Sequence, residues 1–250
     1  MGRRLWERSD LPVSIVTLSP VEMSIHRQGR TSFSSLIVIL LFSALLTACD
    51  ESLDYADVIK HGTDLIEASK FKDAVVVLDL AIHTYPDSVG GYHHKARALT
   101  ELGRYEEAWA MYDAALELEP DNRALHNSKG WSFDRSGEFD QAIAAFDRAT
   151  AIDSTYANPY NHKGWVRFRQ GDEEEGLMLV RRAMRLDPTY GGVYFNLARM
   201  HAARGEGEEA VEQLRTAVEI SGKYRRLAKT NAAFENLRTE VDFLSLVGAP

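Results

Sequence analysis

Eight histidines are the side chains of this sequence best suited to ligating a metal or moving a proton. Their spacing supports neither role, because no His-Glu-x-x-His pair occurs and the adjacent His93 and His94 point in different directions on a helix. The sequence also lacks a Gly-x-Ser-x-Gly nucleophile motif and a phosphate-binding P-loop. The acidic run 172–175 follows Gly171, where the dipole at a helix start accounts for it. We therefore expect no catalytic site, no metal and no cofactor.

The single cysteine, Cys49, ends an uncharged run over residues 33–48 that Arg27 and Arg30 precede. A basic segment followed by an apolar one is typical of a secretory signal peptide. The run closes with Leu-Thr-Ala-Cys, which resembles the bacterial lipobox. That resemblance implies acylation of Cys49 and anchoring in the bacterial cell envelope, facing the periplasm. The alternative is an uncleaved transmembrane anchor, for which the run is short.

The start of the chain does not fit this pattern, because residues 1–22 precede the basic region. A signal peptide begins close to its basic residues, and Met23 opens a signal of normal length over 23–48. We predict that 1–22 is a non-native extension and that 49–54 is a linker. Asp50 resembles the signal for retention in the inner membrane, which favours that membrane and leaves the outer one possible.

The charge of the chain excludes one class of partner. Residues 1–48 hold five basic and three acidic side chains, which leaves 24 basic and 34 acidic side chains in 49–250. Affinity for DNA or RNA depends mainly on basic contacts to phosphate. We therefore expect no nucleic acid to bind.

A 34-residue repeat organises most of the remaining chain, since Pro86 and Pro120 lie one period apart and Pro188 lies two periods further on. The register gives five units, 55–88, 89–122, 123–156, 157–190 and 191–224. Position 27 is alanine in every unit, and positions 8 and 20 are glycine or alanine. Position 15 is glycine in all units but the first, and position 24 is large and apolar.

These choices predict pairs of antiparallel helices. Small residues at positions 8, 20 and 27 permit close approach, large residues at position 24 fill the space between, and glycine at position 15 ends the first helix. The combined pattern resembles the tetratricopeptide repeat over 55–224. The resemblance implies an all-α, right-handed superhelical solenoid of helix-turn-helix units. Position 17, usually aromatic in that family, is Glu173 and Gly207 in repeats four and five, so we expect those two repeats to pack more loosely.

The segment 225–250 is predicted to be a capping helix and tail. Phe234, Leu237, Val241 and Leu244 have the spacing of one helical face, and terminal repeats need a cap with a polar outer side.

In the tetratricopeptide family, positions 2, 5, 9, 12 and 13 of each first helix line a concave groove. Tryptophan and arginine often dominate binding energy, and an asparagine amide can bond the backbone of an extended peptide. The resemblance places the following residues in the groove: His93, Arg97, Asn127, Trp131, Arg135, Asn161, Trp165, Phe168, Arg169, Phe195 and Arg199. We predict that they bind an extended or helical segment rich in Asp or Glu. The alternative is that the tryptophans pack between repeats and the arginines pair with local acids such as Glu101 and Asp134.

These features together predict a membrane-anchored scaffold that holds another envelope protein and has no enzymatic activity. An assembly factor for pili or outer-membrane proteins and a non-catalytic regulator of cell-wall enzymes are alternatives of the same kind. Layout alone does not separate them.

Overall fold

The fold is known here from a computed structural model that describes residues 54–248. The extension 1–22, the signal 23–48 and Cys49 lie outside the described residues, so those predictions stay predictions. Within 54–248, no helix has both the length and the hydropathy needed to span a membrane.

Ten helices of 13 or 14 residues alternate over residues 55–220 and pack in consecutive antiparallel pairs. The first helix of each pair begins at position 1 of the 34-residue unit, and the second begins at position 17. Their bounds are α1 Tyr55–Glu67, α2 Phe71–Thr84, α3 Val89–Glu101, α4 Tyr105–Leu118, α5 Arg123–Ser136, α6 Phe139–Ile152, α7 Ala157–Arg169, α8 Glu173–Leu186, α9 Gly191–Ala203 and α10 Gly207–Ile220. No strand occurs in the described part of the chain. The predicted all-α solenoid is confirmed.

Each first helix ends at a residue in the left-handed conformation. Position 15 has φ angles of 72°, 91°, 96° and 77° at Gly103, Gly137, Gly171 and Gly205, where glycine carries no steric penalty. The first repeat has Ser69 at this position, with φ 58°. The geometry of the turn is thus the same in all five repeats, and the first repeat adopts it with a less suitable residue.

The interior of each pair is built from the recurring small and large residues. Alanine at position 27 is at most 1% exposed in all five repeats, and the position-24 residues are fully buried. A methyl group added at Gly130 would lie 2.7 Å from the Phe146 ring, which shows how closely position 8 approaches position 24. Small and large side chains therefore interlock across the pair.

The first three junctions between repeats share a lysine–aspartate ion pair. Position 7 of the following repeat is bonded to position 25 of the preceding one, in Lys95–Asp79, Lys129–Asp113 and Lys163–Asp147. The fourth junction has Leu197 and Arg181 at these positions, and Leu197 is buried. The junction between repeats four and five therefore has a buried leucine in place of the ion pair that the first three junctions share.

The expectation of looser packing in repeat four is wrong. Gly164 and Gly176 face each other across α7 and α8, and a methyl group on either would lie 2.7 Å from the backbone oxygen of the other. Glycine at both contact positions brings the two backbones together without help from an aromatic residue at position 17.

In repeat five, the space left at position 17 is also filled. Leu237 comes from the C-terminal segment and would lie 3.2 Å from a methyl group at Gly207. The missing aromatic residue therefore makes room for the cap instead of loosening the pair.

The C-terminal segment is not a single helix, which corrects the sequence prediction. It forms α11 Lys223–Thr230, a 3₁₀ helix over Ala232–Leu237, and α12 Val241–Val247. Val241 is 80% exposed, so it does not share a buried face with Phe234 and Leu237. The buried residues of α12 are Phe243, Leu246 and Val247, which pack with Phe234 against the last repeat.

Candidate functional site

The first helices of repeats one to four together line a cleft of about 250 Å³. Its walls come from four different helices, since residue 66 lies in α1, 97 and 101 in α3, 127, 128 and 131 in α5, and 162 in α7. The lining residues are Ile66, Arg97, Glu101, Asn127, Ser128, Trp131 and His162. Three predicted groove residues, Arg97, Asn127 and Trp131, are thus brought together.

Two groups in this cleft lack partners of their own. Among the described residues, no carboxylate lies within ion-pair distance of Arg97, and the Oδ1 atom of Asn127 is buried without a hydrogen-bond partner. A buried polar atom without a partner costs free energy, about 1–3 kcal/mol in typical cases. A ligand that donates a hydrogen bond to Asn127 and offers an anion to Arg97 would satisfy both groups.

The other three predicted arginines are already engaged. Arg135 lies 3.4 Å from Glu101 and 5.7 Å from the centre of the Trp131 ring, while Arg169 bonds Asp134 at 2.6 Å. Arg135 and Arg169 therefore pair with Glu101 and Asp134, as in the alternative that the sequence left open. Four arginines nevertheless face two carboxylates, so the groove keeps an excess of positive charge.

Arg199 makes the closest cation–π contact of the groove, with its guanidinium 3.5 Å from the centre of the Trp165 ring. It also donates to Oδ1 of Asn196 at 3.0 Å. Burial lowers the pKa of Arg199 to about 10, Asp134 opposes this shift and Arg169 adds to it. Burial likewise raises the pKa of Asp134, against the effect of Arg169, Arg199 and Arg135. Trp165 is consequently covered by Arg199.

Both ends of the Asn161 amide are bonded within the fold, and its predicted role in peptide binding stays a prediction. Its Nδ2 donates to the Tyr190 hydroxyl at 3.3 Å, and its Oδ1 accepts from Asn196 at 3.0 Å. It is 1% exposed. The equivalent Asn127 differs because its Oδ1 has no such partner, so the two asparagines have different roles.

Phe168 and Phe195 belong to the interior rather than to the groove surface. Phe168 is buried against α8, where its Cβ would lie 2.9 Å from a methyl group at Gly176, although its ring stacks on Trp165. Phe195 packs on Tyr224 and Phe234 in the C-terminal core, with ring centres 5.3 and 5.7 Å away. Neighbouring elements cover both rings, and their predicted role in partner binding stays a prediction.

Burial holds His93 and His162, two histidines of the first helices, in the neutral form. Burial lowers the pKa of His93 to about 4, with smaller effects of His94 and Arg97, and burial alone lowers that of His162 to about 4. His93 is 3.1 Å from the Ser128 hydroxyl, and His162 stacks on Phe146. Within the described residues, no three or more His, Cys, Asp and Glu side chains are grouped to hold a metal ion. These histidines act as neutral polar and packing groups.

A sequence model of the tetratricopeptide repeat matches residues 93–157, and a second one matches residues 191–216. The chain is a tetratricopeptide-repeat protein. No curated protein sequence matches it significantly.

Solved tetratricopeptide-repeat structures share the fold at low sequence identity. The thermophilic protein TTC0263 of Thermus thermophilus is 18% identical, with a TM-score of 0.62 over 68% of this chain and 93% of its own. PilW, described as a widely conserved type IV pilus biogenesis factor, is 18% identical, with a TM-score of 0.57 over 78% and 99%. Pseudomonas aeruginosa PilF is 15% identical, with a TM-score of 0.55 over 74% and 97%. At these identities the similarity establishes the fold.

Two cleft residues, Ser128 and His162, were missed because the positions taken from the tetratricopeptide family did not include position 6. That position holds His94, Ser128, His162 and Asn196 in repeats two to five. Ser128 and His162 line the cleft, and Asn196 bridges Asn161 to Arg199. A polar residue recurring beside a position predicted to bind ligand was the available signal.

Proposed function

We propose that this tetratricopeptide-repeat protein is a non-catalytic scaffold, anchored to the envelope membrane through Cys49, whose groove holds an acid-bearing segment of another envelope protein. Tetratricopeptide-repeat proteins are in general scaffolds for protein–protein interaction. The observation that carries the proposal is the cleft around Arg97 and Asn127, because it combines an unneutralised cation with a buried acceptor that has no partner.

An extended peptide supplies what this cleft lacks. A backbone N–H of such a segment donates to Asn127, an Asp or Glu carboxylate binds Arg97, and an apolar side chain packs on the Trp131 indole. Extended chains bind in this way when backbone bonds give affinity and side-chain pockets give selectivity. The excess of arginine over carboxylate along the groove favours an acidic segment over a basic one.

The partner is identified by placing a photoreactive amino acid at Trp131 and irradiating intact cells. A matched probe at Glu212, on the outer side of α10, reports contacts unrelated to the groove. The segment crosslinked from position 131 is then synthesised and its affinity for the purified protein is measured.

We expect Arg97→Glu to weaken binding of that segment at least tenfold, or about 1.4 kcal/mol, since it places a carboxylate where the ligand's acid binds. Arg215→Glu, an equal charge change on an exposed residue of α10, leaves the affinity unchanged. Equal affinities for the two variants would refute the groove as the site.

Anchoring is tested separately by labelling cells with an alkyne fatty acid. The wild-type chain incorporates the label and is found in membranes at processed size, whereas Cys49→Ala takes no label. A wild-type chain that takes no label and stays in membranes at unprocessed size would favour the uncleaved transmembrane anchor.

Pilus assembly is a second candidate, because PilW is a pilus biogenesis factor whose fold matches over 78% of this chain. A strain lacking the protein would then lose surface pili and regain them with the wild-type chain. Assembly of other outer-membrane proteins and regulation of cell-wall enzymes are distinguished by the partner that the crosslink identifies.

A further inference from the structure

The first helices of all five repeats begin along one edge of the array, which we call the starting edge, because each second helix runs back antiparallel to the first. Contacts between neighbouring helix starts show this arrangement. Ser88, just before α3, donates to the Tyr55 hydroxyl at the start of α1 at 2.9 Å. A methyl group at Gly191, the first residue of α9, would lie 2.6 Å from the ring of Tyr224 in α11. The start of α11 therefore lies on the starting edge, beside the start of α9.

The C-terminal part of the starting edge is basic. It comprises the end of α8 with the turn that follows (183–190) and the end of α10 with α11 (217–230), which together we call the basic end. Its acidic side chains are Asp187 and Glu219. Its basic side chains, all exposed, are Arg185, Lys223, Arg225, Arg226 and Lys229. The basic end therefore has a net positive charge, although residues 49–250 hold 24 basic and 34 acidic side chains.

The stability of the fold does not explain the cations of α11. The dipole of a helix favours acidic side chains in the first turn, and each of the five second helices has one to three acids there. The first turn of α11 has no acid and instead holds Lys223, Arg225 and Arg226. Within the part of the chain that the structure describes, none of these three forms an ion pair, although Lys223 lies over the Tyr224 ring. Their charge is therefore left uncompensated by the fold.

Exposed apolar side chains accompany these cations. Leu186 at the end of α8, Ile220 at the end of α10 and Leu227 on α11 are 37%, 40% and 44% exposed. The start of α9 brings the two parts of the basic end together, because Gly191 follows Leu186 by five residues and a methyl group on it would lie 3.1 Å from Ile220. Basic and apolar side chains on one surface are typical of segments that lie at a membrane interface.

The N-terminal part of the starting edge is acidic. Its exposed acids without an ion pair among the described residues are Asp54, Asp57, Asp87 and Glu119. Asp121 and Asp153 follow in the next two turns, and both are already paired with arginines. An anionic surface therefore repels the first repeats along this edge and attracts the basic end.

We propose that the basic end binds the anionic phospholipid headgroups of the membrane that carries the anchor. The inference rests on the proposed anchoring through Cys49. Cys49 precedes Asp54 by five residues, and an extended chain of that length spans at most about 18 Å. The anchor thus holds the start of α1, and with it the starting edge, close to the bilayer. A basic patch adds a second attachment to a lipid anchor, and each cation near an anionic surface strengthens it.

The contact is tested with the full-length chain reconstituted into vesicles of phosphatidylcholine alone, or of phosphatidylcholine mixed with phosphatidylglycerol. A photoreactive amino acid replaces Leu227, and mass spectrometry detects phospholipid crosslinked to it. A matched probe at Val76, an equally exposed apolar residue of α2, reports lipid contacts unrelated to the basic end. We expect phospholipid on residue 227 only in the vesicles that contain phosphatidylglycerol, and less of it at high salt, because salt screens the attraction.

The double variant Arg225→Glu with Arg226→Glu separates lipid binding from folding. Acids suit the first turn of a helix, so we expect this variant to melt at the wild-type temperature or above. Its crosslinking to phospholipid falls at least tenfold, since two attractive charges become repulsive. The control is Arg181→Glu with Arg215→Glu, the same charge change in the middle of α8 and α10, which retains wild-type crosslinking.

Equal crosslinking in the two kinds of vesicle, or an acylated chain with no phospholipid on residue 227, would overturn the inference and leave the anchoring intact. A crosslink from residue 227 to a protein in intact cells would refute it in favour of a protein partner. Failure of the anchor has a different signature, which is a chain without fatty acid on Cys49. Such a chain, added to vesicles that contain phosphatidylglycerol, still floats with them if the basic end binds lipid, and a chain that stays behind refutes the inference.

Discussion

Replacing Gly176 by alanine tests whether repeat four is held together by direct backbone approach. The other four repeats have alanine at this position, so the repeat pattern alone predicts that Gly176→Ala is harmless or stabilising. Removing a helix-interior glycine normally gains up to about 1 kcal/mol. The structure predicts the opposite sign.

The magnitude follows from what the added methyl group would meet. It would lie 2.7 Å from the backbone oxygen of Gly164 and 2.9 Å from the backbone nitrogen of Phe168. Backbone atoms cannot rotate away, so α7 and α8 must separate, and overpacking of this kind costs about 1–3 kcal/mol. After the gain in helix propensity, we expect a net loss of about 1–2 kcal/mol and a melting temperature lower by about 3–6 °C.

Gly62→Ala is the matched control in repeat one. Its methyl group would meet the side chain of Leu78, whose outer atoms can move, and it would recreate the Ala198–Leu214 combination that repeat five already contains. We expect this variant to be as stable as wild type or slightly more so. Urea unfolding followed by tryptophan fluorescence compares them, since Trp165 lies on α7. A Gly176→Ala protein at least as stable as wild type would refute the argument from backbone contact.

Three further predictions address the turn, the buried histidines and the buried cation. Ser69→Gly raises stability by about 0.5–1 kcal/mol by relieving the left-handed φ, whereas Gly137→Ser lowers it by a similar amount; equal effects in chemical unfolding would contradict this. The pKa of His162 is about 4 in the folded chain, against 6.5 for an unperturbed histidine. Between these pH values the unfolded chain binds one more proton than the folded chain. The free energy of unfolding therefore falls, on the order of 2 kcal/mol, as the pH drops from 6.5 to 4. His162→Gln should reduce this loss of thermal stability with falling pH without abolishing it, because the pKa of His93 is lowered over the same range, and parallel curves would exclude His162 as a cause. Arg199→Met keeps the contact with Trp165 but removes the donor to the buried Oδ1 of Asn196, so we expect the free energy of unfolding to fall by about 1–3 kcal/mol; unchanged or higher stability would show that the cost of burying the cation outweighs its hydrogen bond.

The sequence predicted the helix pairs because their determinants are local and recur. Small residues at positions 8, 20 and 27 and a left-handed turn at position 15 depend only on the contact within one pair, so five copies reveal them. The C-terminal segment has one copy and no period. The 3–4–3 spacing of Phe234, Leu237, Val241 and Leu244 fits a straight helix, but the chain bends at residues 231 and 238–240, and Phe243 takes the buried position instead.

The candidate site was predicted less completely, because equivalent positions do not keep equivalent neighbours. Asn127 and Asn161 occupy the same repeat position. Asn196 and Tyr190 form hydrogen bonds with the side chain of Asn161, whereas the Oδ1 atom of Asn127 has no partner. Phe195 occupies position 5 of repeat five, as His93 does in repeat two. The C-terminal cap covers repeat five alone, and it buries Phe195. A repeat register gives the direction of a side chain, while its exposure depends on the next element along the array.

The fourth junction connects the interior of the array to its outer surface. At the first three junctions a mostly buried lysine needs the aspartate at position 25 of the preceding repeat. Leu197 replaces that lysine and packs in the same cluster as Val180 and Ala183. Once the lysine is gone, an aspartate at position 25 has no internal partner to satisfy, and the chain has Arg181 there. A hydrophobic contact has thus replaced the ion pair at this junction, and Arg181 is exposed to solvent.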